Sequence, residues 1–166
     1  MEKAPADRER DGPAFLLAQL GAHAASKFAA RMRAIDLTPP LVGVLRFLAR
    51  NPGSIQKELA DAIGMPASRL VAMADQLESR GLVCRVRDEE DRRSHRITLT
   101  AGGEAELAII AREAREHKNE LLAALSTEEQ DQLAGLLQRV AIQQGLRLGV
   151  HPGLSRPSYV EQTEPL

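Results

Sequence analysis

The chain has 166 residues, of which 43% are hydrophobic and only 2% are aromatic, and its formal net charge is −1. This length fits one domain with a substantial core, and a core poor in aromatic rings favours closely packed helices. The balanced charge excludes a polycationic nucleic-acid binder, and the scarcity of aromatic rings disfavours stacking on single-stranded nucleic acid.

Four helices are predicted in succession along the first half of the chain. Apolar residues recur every three or four positions from Leu17 to Ile35, which indicates a long first helix. Thr38-Pro39-Pro40 ends that helix and caps the second. Ser54 is expected to cap a short third helix, and Pro66 to open a fourth helix that stops at Gly81.

A change of period after the fourth helix predicts a β-hairpin. Residues 82–87 and 95–99 alternate with a period of two, which is typical of strands. Cys84 is expected on the inward side of the first strand, as a small core residue. The stretch 88–94 is polar and highly charged, so the hairpin is expected to have a protruding tip.

Two more helices are predicted in the last third of the chain. Thr100 can cap a helix that reaches about Leu125. Ser126-Thr127-Glu128-Glu129 has the pattern of a capping box and therefore begins the last helix. Beyond Gly149, prolines oppose a continuous helix, and this tail is assigned to disorder or to docking onto a partner.

Residues 54–80 have the pattern of a helix-turn-helix, with Gly64 between two short helices. A helix that enters the major groove of DNA must bury one face and offer small or polar groups on the other. The fourth helix meets this requirement, because its apolar residues share one face. The residues around the rest of that helix are Ala67, Ser68, Arg69, Ala72, Asp75 and Gln76.

Four motifs resemble those of the multiple-antibiotic-resistance regulator (MarR) family. They are Gln56-Lys57-Glu58-Leu59-Ala60, Leu77-Glu78-Ser79-Arg80-Gly81-Leu82-Val83, Asp91-Arg92-Arg93 and Leu99-Thr100-Ala101-Gly102-Gly103. Their joint spacing is far more specific than a helix-turn-helix signal alone, and the resemblance covers roughly residues 15 to 142. It implies a mainly α fold with a small β-hairpin: a winged helix-turn-helix with a helical dimerisation region. It also implies a homodimer that inserts one recognition helix per lobe into double-stranded DNA.

The resemblance further implies that the hairpin is a wing that reaches the adjacent minor groove. By the same resemblance, Asp91, Arg92 and Arg93 are expected to fix the shape of this wing and to supply its DNA-contacting arginine. One arginine is expected to pair with the aspartate while the other enters the groove, and either assignment fits the sequence. In this motif context, Arg87 is expected to contact the DNA backbone, although a solvated strand face is the alternative.

The chain departs from the family in the middle of the recognition helix. Family members often carry Thr or Ser followed by Arg there, whereas this chain has Val71-Ala72. The reading of bases is therefore assigned to Arg69, Ser68 and Gln76, and recognition of DNA shape is the alternative. Arg69 is the candidate for guanine, because an arginine can pair in bidentate fashion with the O6 and N7 atoms of that base.

His23, Lys27 and Arg31 follow one another at intervals of four residues on the first helix, beside its apolar stripe. One interpretation is a solvated or dimer-facing edge. The other is a binding site for a phenolic or aromatic carboxylate effector, because the resemblance implies release of DNA on binding such ligands. His117 is expected to be structural or exposed.

Several classes of function are disfavoured by what the chain lacks. A single cysteine excludes an intramolecular disulfide framework and a cysteine-rich zinc site. The four histidines have no metal-ligand spacing and no Gly-rich phosphate loop is present, so we expect no enzyme, no cofactor and no metal. No apolar run reaches the roughly 20 residues of a membrane-spanning helix, and the start lacks a signal-peptide core. A soluble cytoplasmic, nucleoid-associated protein without membrane contact is therefore expected.

The sequence thus predicts a ligand-responsive repressor that binds a near-palindromic operator as a homodimer. The alternative is a winged-helix protein-interaction module without sequence-specific DNA binding, which the charge of the lobe favours: eight cations face eight anions between Ser54 and Leu99. The dimer body is expected to bury Leu17, Leu20, Leu133, Leu136 and Leu137. The expected organisation is a disordered tail over 1–11, a dimerisation region over 12–36 and 101–149, a DNA-binding lobe over 37–100, and a second tail over 150–166.

Overall fold

A computed structural model describes residues 12–87 and 95–146 of the chain. Over these ranges it has long helices at both ends and a small antiparallel sheet in the middle. The elements in chain order are α1 (Pro13–Arg33), α2 (Pro39–Arg50), β1 (Ser54–Ile55), α3 (Gln56–Ile63), α4 (Ala67–Ser79), β2 (Val83–Arg87), β3 (His95–Leu99), α5 (Ala101–Leu121) and α6 (Thr127–Gln143). The predicted fold class is confirmed, and the sheet has one strand more than the expected hairpin.

The helix starts follow the predicted capping chemistry at two places and depart from it at a third. The Thr100 hydroxyl accepts a hydrogen bond from the N–H of Gly103 at 3.1 Å and so caps α5. The Ser126 hydroxyl and the Glu129 carboxylate form the predicted capping box of α6. Ser54 does not cap α3, because its hydroxyl donates instead to the carbonyl of Asn51 at 2.8 Å and its backbone belongs to β1.

The sheet has the order β1-β3-β2, and both pairs are antiparallel. Ile97 on the central strand is fully buried and lies opposite Arg85 of β2. The prediction that Cys84 lies inward is therefore wrong. It belongs to the outer face, where its sulfur lies 3.1 Å from the Thr98 hydroxyl, and its face-mate Val86 is 54% exposed. The alternation defines two faces, but burial of Val83 and Ile97 decides which one is inward.

The core lies in the lobe formed by α2, α3, α4 and the sheet. Fully buried leucines from each of these helices pack together beneath the sheet, and Met32 from the end of α1 completes the cluster. The outer helices α1 and α6 are far more exposed than the helices of the lobe, and α6 has no buried residue along its described length. The apolar side chains that α1 and α6 leave exposed include Leu17 at 44%, Leu20 at 55%, Leu136 at 57% and Leu137 at 39%.

Helix α5 joins this lobe to the outer helices, and its first turn is tightly wedged against the lobe. The hydroxyl of Thr100 donates to the carbonyl of Gly81 at 2.5 Å, and its N–H donates to the carbonyl of Leu82 at 3.1 Å. Gly103 is buried against the same carbonyl of Leu82. These contacts fix the direction in which α5 leaves the lobe. The helix ends at Leu121, one turn earlier than the predicted end at about Leu125.

Candidate nucleic-acid interface

Helices α3 and α4 form the predicted helix-turn-helix. Gly64 ends α3 in the left-handed region, with φ at 68°, which glycine adopts at little steric cost. Met65 is buried in the turn, so the two helices are held at a fixed angle. Helix α4 buries Leu70, Met73, Ala74 and Leu77 and leaves its other side exposed.

The exposed side of α4 carries every recognition-helix residue that the sequence analysis selected. Small side chains predominate near the start of the helix, where a close approach to base edges needs room. Val71, at 40% exposure, shares this surface and offers an apolar contact. The selected residues Ala67, Ser68, Arg69, Ala72 and Gln76 are all exposed.

The hairpin of β2 and β3 leaves the lobe beside α4. Arg87 is exposed at the end of β2, where it pairs in register with His95 of β3. Its position on the wing fits contact with a DNA backbone. The other predicted wing residues, Asp91, Arg92 and Arg93, lie outside the described residues.

Arg85, two residues before Arg87, has a different environment. Its guanidinium group forms ion pairs with Asp75 at 2.6 Å and with Glu78 at 2.8 Å, both on α4. Its side chain is only 18% exposed. The sequence analysis did not predict this pairing of Arg85. The available signal was the pair of acids on α4 seven and ten residues before it, but a pairing across a turn needs the fold to be seen.

Two further arginines of the lobe also contact protein acceptors. Arg80 donates to the backbone carbonyls of Asp36 and Ile35 at 2.5 and 3.3 Å, which ties the end of α4 to the end of α1. Arg96 donates to the carbonyl of Gly53 at 3.1 Å, beside the short strand β1. These cations therefore serve the architecture of the lobe.

The predicted effector residues of α1 lie along one edge of the helix that faces α5, and the side chain of Arg31 on this edge is only 20% exposed. His23 and Lys27 are exposed. Arg31 pairs with Glu113 at 3.0 Å, with Glu116 at 3.3 Å and also with Glu120. Hydrogen bonding to the Glu120 carboxylate, with support from the other two, raises the pKa of Arg31 above its ordinary value.

His117 of α5 lies within this cluster. Its ring packs against Phe28 of α1, with 5.6 Å between ring centroids. Burial lowers the pKa of His117, and the positive charge of Arg31 lowers it further. The prediction of a structural role is consistent with this packing.

A cleft of about 380 Å³ opens between α2 and α5, which is the junction of the lobe and the outer helices. Two arginines lie on its α2 side, and its α5 side is apolar, so it offers cationic groups next to hydrophobic surface. The lining residues are Arg46, Ala49, Arg50, Leu107, Ile110, Ala111 and Ala114.

Two features of the described ranges bear on other classes of site. Over residues 12–87 and 95–146, histidine, cysteine and carboxylate side chains form no group of three that could hold a metal ion. None of the helices in those same ranges combines the length and apolar character needed to cross a bilayer.

A helix-turn-helix with an exposed second helix, followed by a two-stranded wing, defines a winged-helix protein of the DNA-binding class. The model of the MarR family matches residues 35–94. The transcriptional regulator HosA of Escherichia coli is 36% identical over 105 residues, which are 63% of this chain and 78% of HosA. This chain belongs to the MarR family of transcriptional regulators.

Two further proteins place the chain within this family. A transcriptional regulatory protein for the hcr operon of Thauera aromatica is 36% identical over 104 residues, which are 63% of this chain and 63% of that protein. The structure of the transcriptional repressor CouR, bound to a 23-mer DNA duplex, has a TM-score of 0.70 and 32% identity. The match covers 84% of this chain and 99% of the CouR chain.

Proposed function

We propose that this protein is a repressor that binds a near-palindromic operator in double-stranded DNA as a homodimer and is released by a small effector. The observation that carries the proposal is the placement, in one lobe, of an exposed α4 surface beside the exposed Arg87 of the wing. The resemblance to DNA-bound CouR supports it. We assign the protein no catalytic role and place its work at the nucleoid, in the cytoplasm.

In this proposal α4 enters the major groove and the wing follows the neighbouring minor groove. Arg69 reads guanine, while Ser68 and Gln76 add polar contacts to base edges. Ala67 and Ala72 allow the helix a close approach to the bases. Arg87 binds phosphate, and the Asp91-Arg92-Arg93 motif shapes the wing and brings an arginine to the minor groove.

The homodimer would form through the outer helices. The apolar side chains of α1 and α6 that one chain leaves exposed, such as Leu20 and Leu136, favour burial against a second copy. The proposed division of labour assigns 12–36 and 101–149 to the dimer body and 37–100 to the DNA-binding lobe. Two symmetric lobes then bind half-sites whose centres lie about 10 base pairs apart, or a multiple of that distance.

The effector is proposed to be a phenol or an aromatic carboxylate. Two surfaces are candidates: the α1 edge formed by His23, Lys27 and Arg31, and the cleft between α2 and α5. A ligand at the α1 edge would have to compete with the carboxylates that already pair with Arg31. In the cleft, Arg46 and Arg50 could bind a carboxylate while the apolar wall of α5 holds the ring.

Either surface could couple the ligand to DNA, because the cleft lies between α2 of the lobe and α5 of the proposed dimer body, and the α1 edge lies between two helices of that body. A ligand that binds more tightly when the lobes are spaced unsuitably for the groove would lower the DNA-competent population. Isothermal titration with salicylate tests the assignment. Loss of binding in His23→Ala and Arg31→Ala supports the α1 edge, whereas loss in Arg46→Ala and Arg50→Ala supports the cleft.

Selection of binding sites from random duplex DNA, followed by binding assays on the selected sequence, tests the proposed function. We expect a near-palindrome and saturation at one dimer per site. The balanced charge of the lobe favours the alternative, a winged-helix module that binds protein. A protein that shows no preference for any duplex at low salt, or that is a stable monomer, would refute the repressor and leave this alternative.

A further inference from the structure

We propose that Arg85 is a positioning residue for DNA recognition, which locks recognition helix α4 to wing strand β2 and compensates the negative charge of Asp75. The inference rests on the proposed function. It concerns a residue that does not itself touch the duplex. The same strand carries, two residues further on, an arginine that is proposed to bind phosphate.

Arg85 uses both its backbone and its side chain to bind α4. Its Nη1 lies 2.8 Å from Glu78 Oε2 and its Nη2 lies 2.6 Å from Asp75 Oδ1. Its backbone N–H donates to the other oxygen of Glu78 at 3.1 Å. Its Nη2 also lies 3.3 Å from the carbonyl oxygen of Val71. Bidentate and charge-assisted hydrogen bonds of this kind fix geometry as well as add stability.

The acceptors form one stripe along the helix. Val71, Asp75 and Glu78 are spaced by four and three residues, and such positions lie on the same face of a helix. Arg85 reaches them from the centre of β2, where it lies opposite the fully buried Ile97. A tilt or slide of α4 relative to the wing would therefore break several hydrogen bonds at once. These bonds therefore hold α4 and β2 at a fixed angle to each other.

These contacts of Arg85 with α4, here called the Arg85 clamp, also compensate negative charge that α4 would otherwise present to DNA. Asp75 is 58% exposed and lies on the outer part of the helix, next to the proposed base-reading residue Gln76. An unpaired carboxylate there would repel phosphates and could accept a hydrogen bond from cytosine N4, which would alter the sequence that is read. Pairing with Arg85 compensates this charge.

The burial of Arg85 argues against a phosphate contact by the same residue. Its side chain is 18% exposed, and its Nε is buried without a hydrogen-bond partner among the described residues. Its charge is already compensated by two carboxylates. Arg85 therefore positions α4, whereas Arg87 on the same strand is proposed to bind phosphate. A substitution of either arginine is the control for the same substitution of the other.

The experiment measures operator and non-operator affinity over a series of salt concentrations for Arg85→Met and Arg87→Met. We expect Arg87→Met to weaken binding to all duplexes and to lower the salt slope by about one for each phosphate that the arginine neutralises in the wild type. We expect Arg85→Met to leave the slope nearly unchanged and to lower operator affinity about tenfold or more, with a much smaller loss on non-operator DNA from the repulsion between the unpaired Asp75 and phosphate. The ratio of specific to non-specific affinity then falls only for Arg85→Met.

Two further variants separate the charge effect from the mechanical one. Adding Asp75→Asn to Arg85→Met should recover part of the operator affinity, because the exposed carboxylate is gone. Glu78→Gln keeps the shape of the acceptor and weakens the charged pair, so it should lower the specificity ratio in the same direction if Arg85→Met does not fold. A fall in salt slope equal to that of Arg87→Met, with an unchanged specificity ratio, would make Arg85 a phosphate contact and overturn the proposal.

Failure of the proposed function can be told apart from failure of the clamp. If the wild-type protein prefers no duplex, the repressor is refuted, and amide hydrogen exchange of the free protein still tests the Arg85 clamp. Faster exchange over α4 and at the N–H of Arg85 in Glu78→Gln supports the clamp. Exchange rates equal to those of the wild type over both elements overturn it.

Discussion

Adding a Cβ atom at Gly103 tests the packing of α5 against the DNA-binding lobe. A Cβ at this position would collide with the carbonyl oxygen of Leu82, and it would lie 3.1 Å from both the Leu82 carbonyl carbon and the Cδ2 of Leu99. The carbonyl cannot turn away easily, because it accepts a hydrogen bond from Thr100. Gly103→Ala must therefore move the backbone of the first turn of α5.

The magnitude follows from two opposing terms. Alanine in place of glycine within a helix gains about 0.5–1 kcal/mol from backbone entropy and propensity. Overpacking a tight site costs about 1–3 kcal/mol, or more where backbone must shift. Because the clash at Gly103 is with backbone, the cost lies at the upper end of that range, and we expect a net destabilisation of about 2 kcal/mol. For a chain of this size that change lowers Tm by roughly 4–8 °C.

Gly135 of α6 is the matched control, because a Cβ there has no atom within 4 Å. Gly135→Ala should stabilise the protein by about 0.5–1 kcal/mol. Denaturant unfolding of both variants, with circular dichroism as the probe, measures the difference. Equal stability of Gly103→Ala and the wild type would refute the close packing of α5 against Leu82.

Three further predictions concern the outer helices. Ser126→Ala removes the hydroxyl that caps α6 and should cost about 0.5–2 kcal/mol in denaturant unfolding. The backbone N–H of residue 126, which is the main cause of the lowered pKa of Glu129, remains in this variant, so only the smaller contribution of the hydroxyl to that pKa is lost, and that part of the cost should shrink below about pH 4.5. The lowered pKa of His117 means that the unfolded chain binds its proton more readily, so the free energy of unfolding should fall as pH drops below 6.5. His117→Phe should flatten this dependence between about pH 7.5 and 5.5, and an unchanged profile would assign it to other groups. Leu136→Lys places a charge on the exposed apolar face of α6 and should shift the mass measured by light scattering from dimer to monomer, whereas Gly135→Ala should not.

Sequence reasoning predicted the helices well because their signals are local. The cap at Thr100 and the capping box at Ser126 each lie within four residues of the groups that they satisfy. Strand β1 was not predicted, because a strand of two residues is too short to show a period. The prediction that Ser54 caps α3 is wrong, because Ser54 pairs with a strand more than forty residues away, which no local pattern indicates. Cys84 was placed on the wrong face because alternation alone does not say which side is buried.

The candidate site was predictable in its composition but not in its connections. The exposed residues of α4 follow from helical spacing, and all five that were selected are exposed. The tasks of the arginines depend on contacts between elements that no local pattern reveals. The sequence pattern selected Arg87 for the phosphate contact, but it did not predict that Arg85 on the same strand pairs with Asp75 and Glu78.

The contacts of the arginines determine how a lobe without net charge can bind DNA. Arg80, Arg85 and Arg96 contact protein acceptors, so the positive charge that can meet phosphate is smaller than the sequence count suggests. Weak attraction to phosphate lowers non-specific binding more than specific binding, because base contacts and shape do not depend on counterion release. A lobe of this kind should therefore discriminate strongly with a modest salt slope. A slope that implied about ten or more phosphate contacts would contradict that balance, because the five other cations between Ser54 and Leu99 in each lobe include Arg69, which is assigned to a base.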